Sequence, residues 1–147
     1  MAPVAEKSGR TSYLQGQRIL IVEDQSLIAM ELQDLLDKAG ASIVGPVGRL
    51  HRALSIAESS GLDAALLDVD LNGERCWPVA DALSRRGIPF AFTTGYSNIV
   101  MPERFARRPT LPKPYREKDL LAVLGRLLGA DLEQERANSA IPDLSGR

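Results

Sequence analysis

The stretch Ala64-Ala65-Leu66-Leu67-Asp68, followed by Val69-Asp70-Leu71-Asn72-Gly73, limits the fold more than any other part of the chain. An apolar run of this length, bounded by turn residues, fits a strand buried on both faces of a parallel sheet. The run ends abruptly in an acid, which puts the Asp68 carboxylate at the strand's carboxyl end. That is the edge at which open α/β sheets bind ligands. A lone acid there does no more than cap the next turn, so the reading depends on what the other strands deliver beside it.

The β-branched run Arg18-Ile19-Leu20-Ile21-Val22 is a first strand and ends in Glu23-Asp24. From Ser26, residues Ile28, Leu32, Leu35, Leu36 and Ala39 recur at helical spacing, with Gly40 as the stop. Residues 41–44 read as a second strand, and Gly45-Pro46 is expected to turn the chain out of it. A helix over 50–60 ends at Gly61, and Pro78 opens another that ends at Gly87. Residues 88–92 form a fourth strand leading into Thr93-Thr94-Gly95. The stretch 96–108 is irregular, with a short helix predicted over 102–107. Thr110-Leu111-Pro112 is a brief fifth strand before Lys113-Pro114, and a helix over 116–128 closes at Gly129. Strand and helix alternate throughout, which means a doubly wound α/β domain with right-handed crossovers.

The expected organisation is a flexible N-terminal arm over 1–16, one domain over 17–129 and a polar tail over 130–147. That tail is too short for an appended output domain. The net charge of -1 and pI near 5.9 give no bulk pull toward nucleic acid or anionic membrane. No apolar stretch is long enough to span a bilayer, and residues 1–16 hold no secretory h-region. Cys76 is the only cysteine, so no internal disulfide forms; a reducing, cytoplasmic setting is expected.

Parallel strands point their carboxyl ends at one edge, so Glu23, Asp24, Asp68, Thr94 and Lys113 are expected to converge. Two like charges about 4 Å apart repel by roughly 4 kcal/mol at an effective dielectric near 20. Three carboxylates therefore call for a cation, and an all-oxygen site beside a phosphate suits Mg2+. An aspartate in such a site is a nucleophile toward a phosphoryl group. Lys113 and the metal would balance the phosphoryl charge, and Thr94 would donate to one of its oxygens.

These residues, in this order on these strand ends, resemble the receiver domain of a two-component response regulator. The residues that carry the likeness are Glu23-Asp24, Asp68 after Leu66-Leu67, Thr94-Gly95 and Lys113-Pro114, over roughly residues 18–128. The resemblance implies a flavodoxin-like five-stranded parallel sheet in the order 2-1-3-4-5. It implies Asp68 as phosphoacceptor, with Asp24 and Asp68 holding Mg2+ directly, Glu23 acting through water and the Asp70 main-chain carbonyl as a further ligand. It also implies a cis Lys113–Pro114 bond and a phosphorelay role with output through protein contacts, not turnover as an enzyme.

Thr110 stands where receivers usually carry a switching aromatic, so the switch region is read as Thr94, Gly95, Tyr96 and Thr110. The stretch Phe92-Thr93-Thr94-Gly95-Tyr96 is similar to the F-A-T-G-hydrophobic-Y signature of an alphaproteobacterial subclass. Thr93 replaces its Ala, and Tyr96 falls one place early. That subclass implies a stand-alone receiver with a weak or short fourth helix, served by a sensor histidine kinase of the HWE type. A histidine phosphotransfer protein is the alternative donor, and a homodimer stays open.

Two other functions compete. Asp68-Val69-Asp70 resembles the D-x-D of haloacid-dehalogenase phosphatases, but that strand normally comes first in the chain. A pure interaction module would have no use for the acidic site. Elsewhere, Thr93 competes for the role of Thr94, His51 reads as an exposed helix residue, Cys76 as an inert thiol and Trp77 as packing. Arg104, Arg107 and Arg108 read as a solvated face.

Overall fold

The structure, a computed structural model, describes residues 12–95 and 99–129. Its main sheet contains β1 (Arg18–Val22), β2 (Ser42–Val47), β3 (Ala64–Asp68), β6 (Phe90–Thr94) and β7 (Thr110–Pro112). All neighbours pair in parallel, in the order β2-β1-β3-β6-β7. This is the predicted 2-1-3-4-5 order, once β4 (Asp70–Leu71) and β5 (Glu74–Arg75) are set apart as a separate antiparallel hairpin. The helices are α1 (Ser26–Lys38), α2 (Leu50–Ser59), α3 (Trp77–Arg86) and α4 (Glu117–Leu127). Among the described residues, no helix is long and apolar enough to cross a membrane.

The sheet separates two cores. On one face, Leu20, Leu67, Phe90 and Phe92 pack with Ala53, Val79 and Leu83 of α2 and α3. On the other, Ile19, Ile21 and Leu66 meet Leu32, Leu36, Leu120 and Leu124 of α1 and α4. β3 is buried along its whole length, as its unbroken apolar run requires.

Between β6 and β7, where the sequence predicts a short helix over 102–107, the described residues form a single 3-10 turn, Glu103–Phe105. Prolines on both sides shorten it, and its Phe105 takes over the packing. The Phe105 ring lies 5.5 Å from Phe92 and 5.8 Å from Trp77, centroid to centroid. Trp77 is thus a packing residue. Arg104 and Arg107 are exposed, as a solvated face requires, but Arg104 and Arg108 also have partners. Arg104 is bidentate on Asp81, at 2.8 and 3.0 Å. Arg108 stacks 4.3 Å over Phe90 and donates to Ser84.

Two expectations need correction. β2 does not end at Val44 but runs through Gly45 and Pro46 to Val47. It is an edge strand, where a missing N–H is tolerated, and its register against β1 shifts between Leu20 and Val22. Gly45 permits this with φ +97; a Cβ there would lie 2.9 Å from the Ile21 carbonyl oxygen. Gly61 does not close α2 as a left-handed cap; Ser60 ends it in extended conformation, whereas Gly40, Gly87 and Gly129 do have positive φ.

Described residues ahead of residue 17 also pack on the domain. Ser12–Leu14 form a 3-10 turn, Leu14 is 0% exposed, and the Tyr13 hydroxyl donates to the Leu121 carbonyl at 2.8 Å. Tyr13→Phe is expected to lower stability by about 1 kcal/mol in urea unfolding, the usual net value of one such bond. An unchanged midpoint would show that the hydroxyl contributes nothing to docking this segment.

Candidate functional site

The parallel strands bring their carboxyl ends together as expected. Glu23 and Asp24 follow β1, Asp68 ends β3, Thr94 ends β6 and Lys113 follows β7. Glu23 and Asp68 are buried and Asp24 is half-buried, and one oxygen from each lies within 4.8 Å of the others. The Lys113 Nζ sits 2.9 Å from Glu23 Oε1 and 3.1 Å from Asp68 Oδ2. Three main-chain N–H groups hold the acids. Gln25 donates to Glu23 Oε2 (3.1 Å), Asn72 to Asp24 Oδ2 (2.9 Å) and Asp70 to Asp68 Oδ1 (3.3 Å).

The electrostatics follow from this crowding. Burial, and then repulsion from Glu23, push the Asp68 carboxyl up to about 7 against the opposing pull of Lys113. Burial pulls the Lys113 ammonium down, but its contacts with Glu23 and Asp68 outweigh that, and the net direction is up. Burial also raises the Tyr115 hydroxyl to about 12, with smaller contributions from Glu23, Glu31 and Asp68. Glu23 Oε1 is buried with no hydrogen bond, facing the Lys113 ammonium only as a charge contact. A buried carboxylate oxygen of this kind, within 4.8 Å of oxygens from two other acids, fits a hard divalent cation such as Mg2+.

Of the residues singled out in the sequence, Glu23, Asp24, Asp68 and Lys113 form one cluster. Thr94 is joined to it through the main chain, because the Lys113 N–H donates to the Thr94 carbonyl at 2.7 Å. Thr93 is buried and lies opposite Asp68 in the register. The Asp70 carboxylate points away, to Arg75 at 2.9 Å. Gly95 and Thr110 are exposed, and Tyr96 lies outside the described residues. The Lys113–Pro114 peptide is cis, as expected. His51 is exposed; Cys76 is buried, which raises its thiol.

The sequence reading missed the hairpin and the Asn72 N–H that holds Asp24. The signal was present in Asn72-Gly73, the dipeptide favoured in a two-residue type I′ turn. Both residues have the positive φ such a turn needs, 53° and 88°. Gly48 was missed too; a Cβ there would stand 3.2 Å from the Asp24 Cα.

Comparison with known proteins places this geometry. A family model, Response regulator receiver domain, matches residues 19–125. The solution structure of SdrG from Sphingomonas melonis Fr1 is 46% identical with a TM-score of 0.68, covering 77% of this chain and 97% of that one. The receiver domain of the sensor histidine kinase PA1611 from Pseudomonas aeruginosa PAO1 has a magnesium ion coordinated in its active site cleft. It is 25% identical with a TM-score of 0.66, covering 78% of this chain and 98% of that one. Phyllosphere-induced regulator PhyR of Methylorubrum extorquens is 32% identical over 119 residues, 75% of this chain and 43% of PhyR. Sensor protein TorS of Escherichia coli is 30% identical over 98% of this chain but only 16% of TorS. The chain thus spans less than half the length of these two curated relatives.

Proposed function

This chain belongs to the response regulator receiver family, and we propose that it accepts a phosphoryl group on Asp68 from the phosphohistidine of a sensor histidine kinase. Receivers of this family are phosphorylated by such kinases. The observation that carries the reading is the Asp68 carboxylate, buried at the end of β3, with Lys113 at 3.1 Å and two further acids beside it.

In the transfer, an Asp68 carboxylate oxygen attacks phosphorus and forms the new P–O bond. The P–N bond breaks, and the imidazole leaves with its electron pair and takes a proton from solvent. Lys113 stays against Asp68 and offsets charge on the phosphoryl oxygens, and the Thr94 hydroxyl donates to one of them. Asp24 and Asp68 would hold Mg2+ directly, Glu23 through water, and the Asp70 main-chain carbonyl would complete the protein's share. Asp70 and Arg75 pair across the hairpin on the rung outside the turn-closing Leu71–Glu74 pair. On that rung, N–H and C=O both face away from the partner strand. The Asp70 N–H faces Asp68, which supports the carbonyl on the same side of the strand as a ligand. Bound there, Mg2+ supplies the positive charge that favours the ionised Asp68 and balances the incoming phosphoryl oxygens.

The signal would leave through protein contacts around Thr94, Gly95, Tyr96 and Thr110, in the cytoplasm. The likeness of Phe92-Thr93-Thr94-Gly95-Tyr96 to F-A-T-G-hydrophobic-Y supports placing the chain with that subclass and an HWE-type kinase as donor, and the match over 97% of the solved SdrG chain supports a stand-alone receiver. A histidine phosphotransfer protein and a homodimer are the other partners this reading admits. The Asp70 carboxylate, paired with Arg75 and not facing the nucleophile, supports a receiver over a phosphatase of the haloacid-dehalogenase type.

Intact-protein mass after incubation with acetyl phosphate and Mg2+ tests the proposal. The wild type should gain one phosphoryl group, Asp68→Asn none, and EDTA should abolish the gain. Labelling of Asp68→Asn would reject Asp68 as the acceptor; labelling undiminished by EDTA would reject the metal.

A further inference from the structure

The hairpin after the acceptor carries a feature that the transfer as described leaves unused. Asp70 lies two residues past Asp68, and its N–H is already 3.3 Å from the Asp68 carboxylate. Its own carboxylate stands outside the group of three whose oxygens lie within 4.8 Å of one another. Instead of joining them it lies across the hairpin, 2.9 Å from an Arg75 guanidinium nitrogen, with the two side chains 23% and 48% exposed. An isolated ion pair this exposed contributes about 0–1 kcal/mol to stability. Its effect on the fold is thus small, whereas its effect on the charge of the pocket is large.

Three carboxylates, one ammonium and one divalent cation leave the pocket with no net charge. A fourth carboxylate would leave it negative, facing a phosphoryl donor that is itself an anion. We propose that Arg75 is a positioning residue that holds the Asp70 carboxylate out of the acidic pocket, so that the cation-loaded site admits an anionic phosphoryl donor. The inference rests on the receiver reading above and deepens it. The hairpin is suited to this role because the Asn72 N–H ties its turn to Asp24 Oδ2 at 2.9 Å and the type I′ turn fixes Asp70 opposite Arg75. Arg75 thus acts from the outer strand of an element anchored to the pocket at both acids.

The test compares wild type, Arg75→Ala, Arg75→Lys and the double variant Arg75→Ala/Asp70→Asn. Calorimetric titration with MgCl2 alone gives the cation affinity; the initial rate of modification by acetyl phosphate at saturating Mg2+ gives donor access. Arg75→Ala should bind Mg2+ about tenfold more tightly, since one added negative charge near a divalent ion is worth about that much in a largely aqueous setting. The same variant should react about tenfold more slowly with acetyl phosphate. Arg75→Lys, which keeps a cation opposite Asp70, should stay near wild type. In the Arg75→Ala background, Asp70→Asn should loosen Mg2+ binding and speed the reaction relative to Arg75→Ala alone, because the freed side chain is then neutral. A merely structural hairpin pair would not tighten cation binding while slowing transfer.

The inference is overturned if Arg75→Ala matches the wild type in both measurements, or if its tightening survives Asp70→Asn. A wild type that neither binds Mg2+ nor takes the phosphoryl group would overturn the receiver reading itself, and this inference with it.

Discussion

In metal-free buffer at pH 8, Asp68→Asn is expected to be more stable than the wild type by about 1–3 kcal/mol in urea unfolding, and the gap should close as the pH falls toward 4. The folded protein holds the Asp68 carboxyl at about 7 against a reference of 3.8, chiefly because it is buried and then because Glu23 repels its charge. A tenfold change in proton affinity is worth roughly 1.4 kcal/mol, and partial contact with water and sharing of the proton with Glu23 reduce the total. The sign follows from linkage. The folded value lies above the unfolded one, so the full stability is present below about pH 4, where both states are protonated. It is lost as the pH rises through about 7, where the unfolded chain releases the proton more readily. Asparagine carries no such charge and shows no such loss. On the proposed reading, added Mg2+ narrows the gap, because it binds the wild type, with three carboxylates, more tightly than the variant with two. A gap that does not vary with pH would show that Asp68 is not held protonated in the metal-free fold.

Lys113→Met should act in the opposite direction, costing about 3–5 kcal/mol at neutral pH, as removal of one partner from a buried ion pair does. The Lys113 side chain is 12% exposed and its ammonium is the cation beside both Glu23 Oε1 and Asp68 Oδ2. Without it, Glu23 Oε1 remains buried with neither a hydrogen bond nor a counter-charge. The loss should be smaller in the Asp68→Asn background, because part of the repulsion that Lys113 offsets is already gone. The measurement is the same unfolding series on the two single variants and the double. A loss below about 1 kcal/mol in Lys113→Met would mean that water reaches Glu23 and replaces the ammonium.

Together the two variants describe a site whose metal-free form is costly to the fold and is held by one ammonium. The structure shows the cost in the buried acids and the remedy in Lys113. On the proposed reading, the same grouping that destabilises the metal-free chain makes it receptive to a cation and, through it, to a phosphoryl group.

Much of this was legible in the amino-acid order because its causes are local or set by chain direction. The apolar run of β3 demanded burial on two faces, and strand–helix alternation demanded parallel pairing. Parallel pairing alone then sends Glu23, Asp24, Asp68, Thr94 and Lys113 to one edge, wherever the helices pack. What the tertiary structure decided depends on contacts between residues far apart in sequence. Leu14 looked like part of a polar arm, because a single apolar side chain shows no periodicity until the α1–α4 core receives it. Gly45-Pro46 looked like a turn, because nothing local says that β2 is an edge strand able to carry both residues. The arginines looked solvated because Asp81 and Ser84 lie on another element. The Asn72 N–H on Asp24 and the Arg75 guanidinium on Asp70 have the same origin. A residue's type sets its possible partners, but only the folded chain brings a particular partner within about 3 Å, the separation at which a hydrogen bond or a charge contact takes effect.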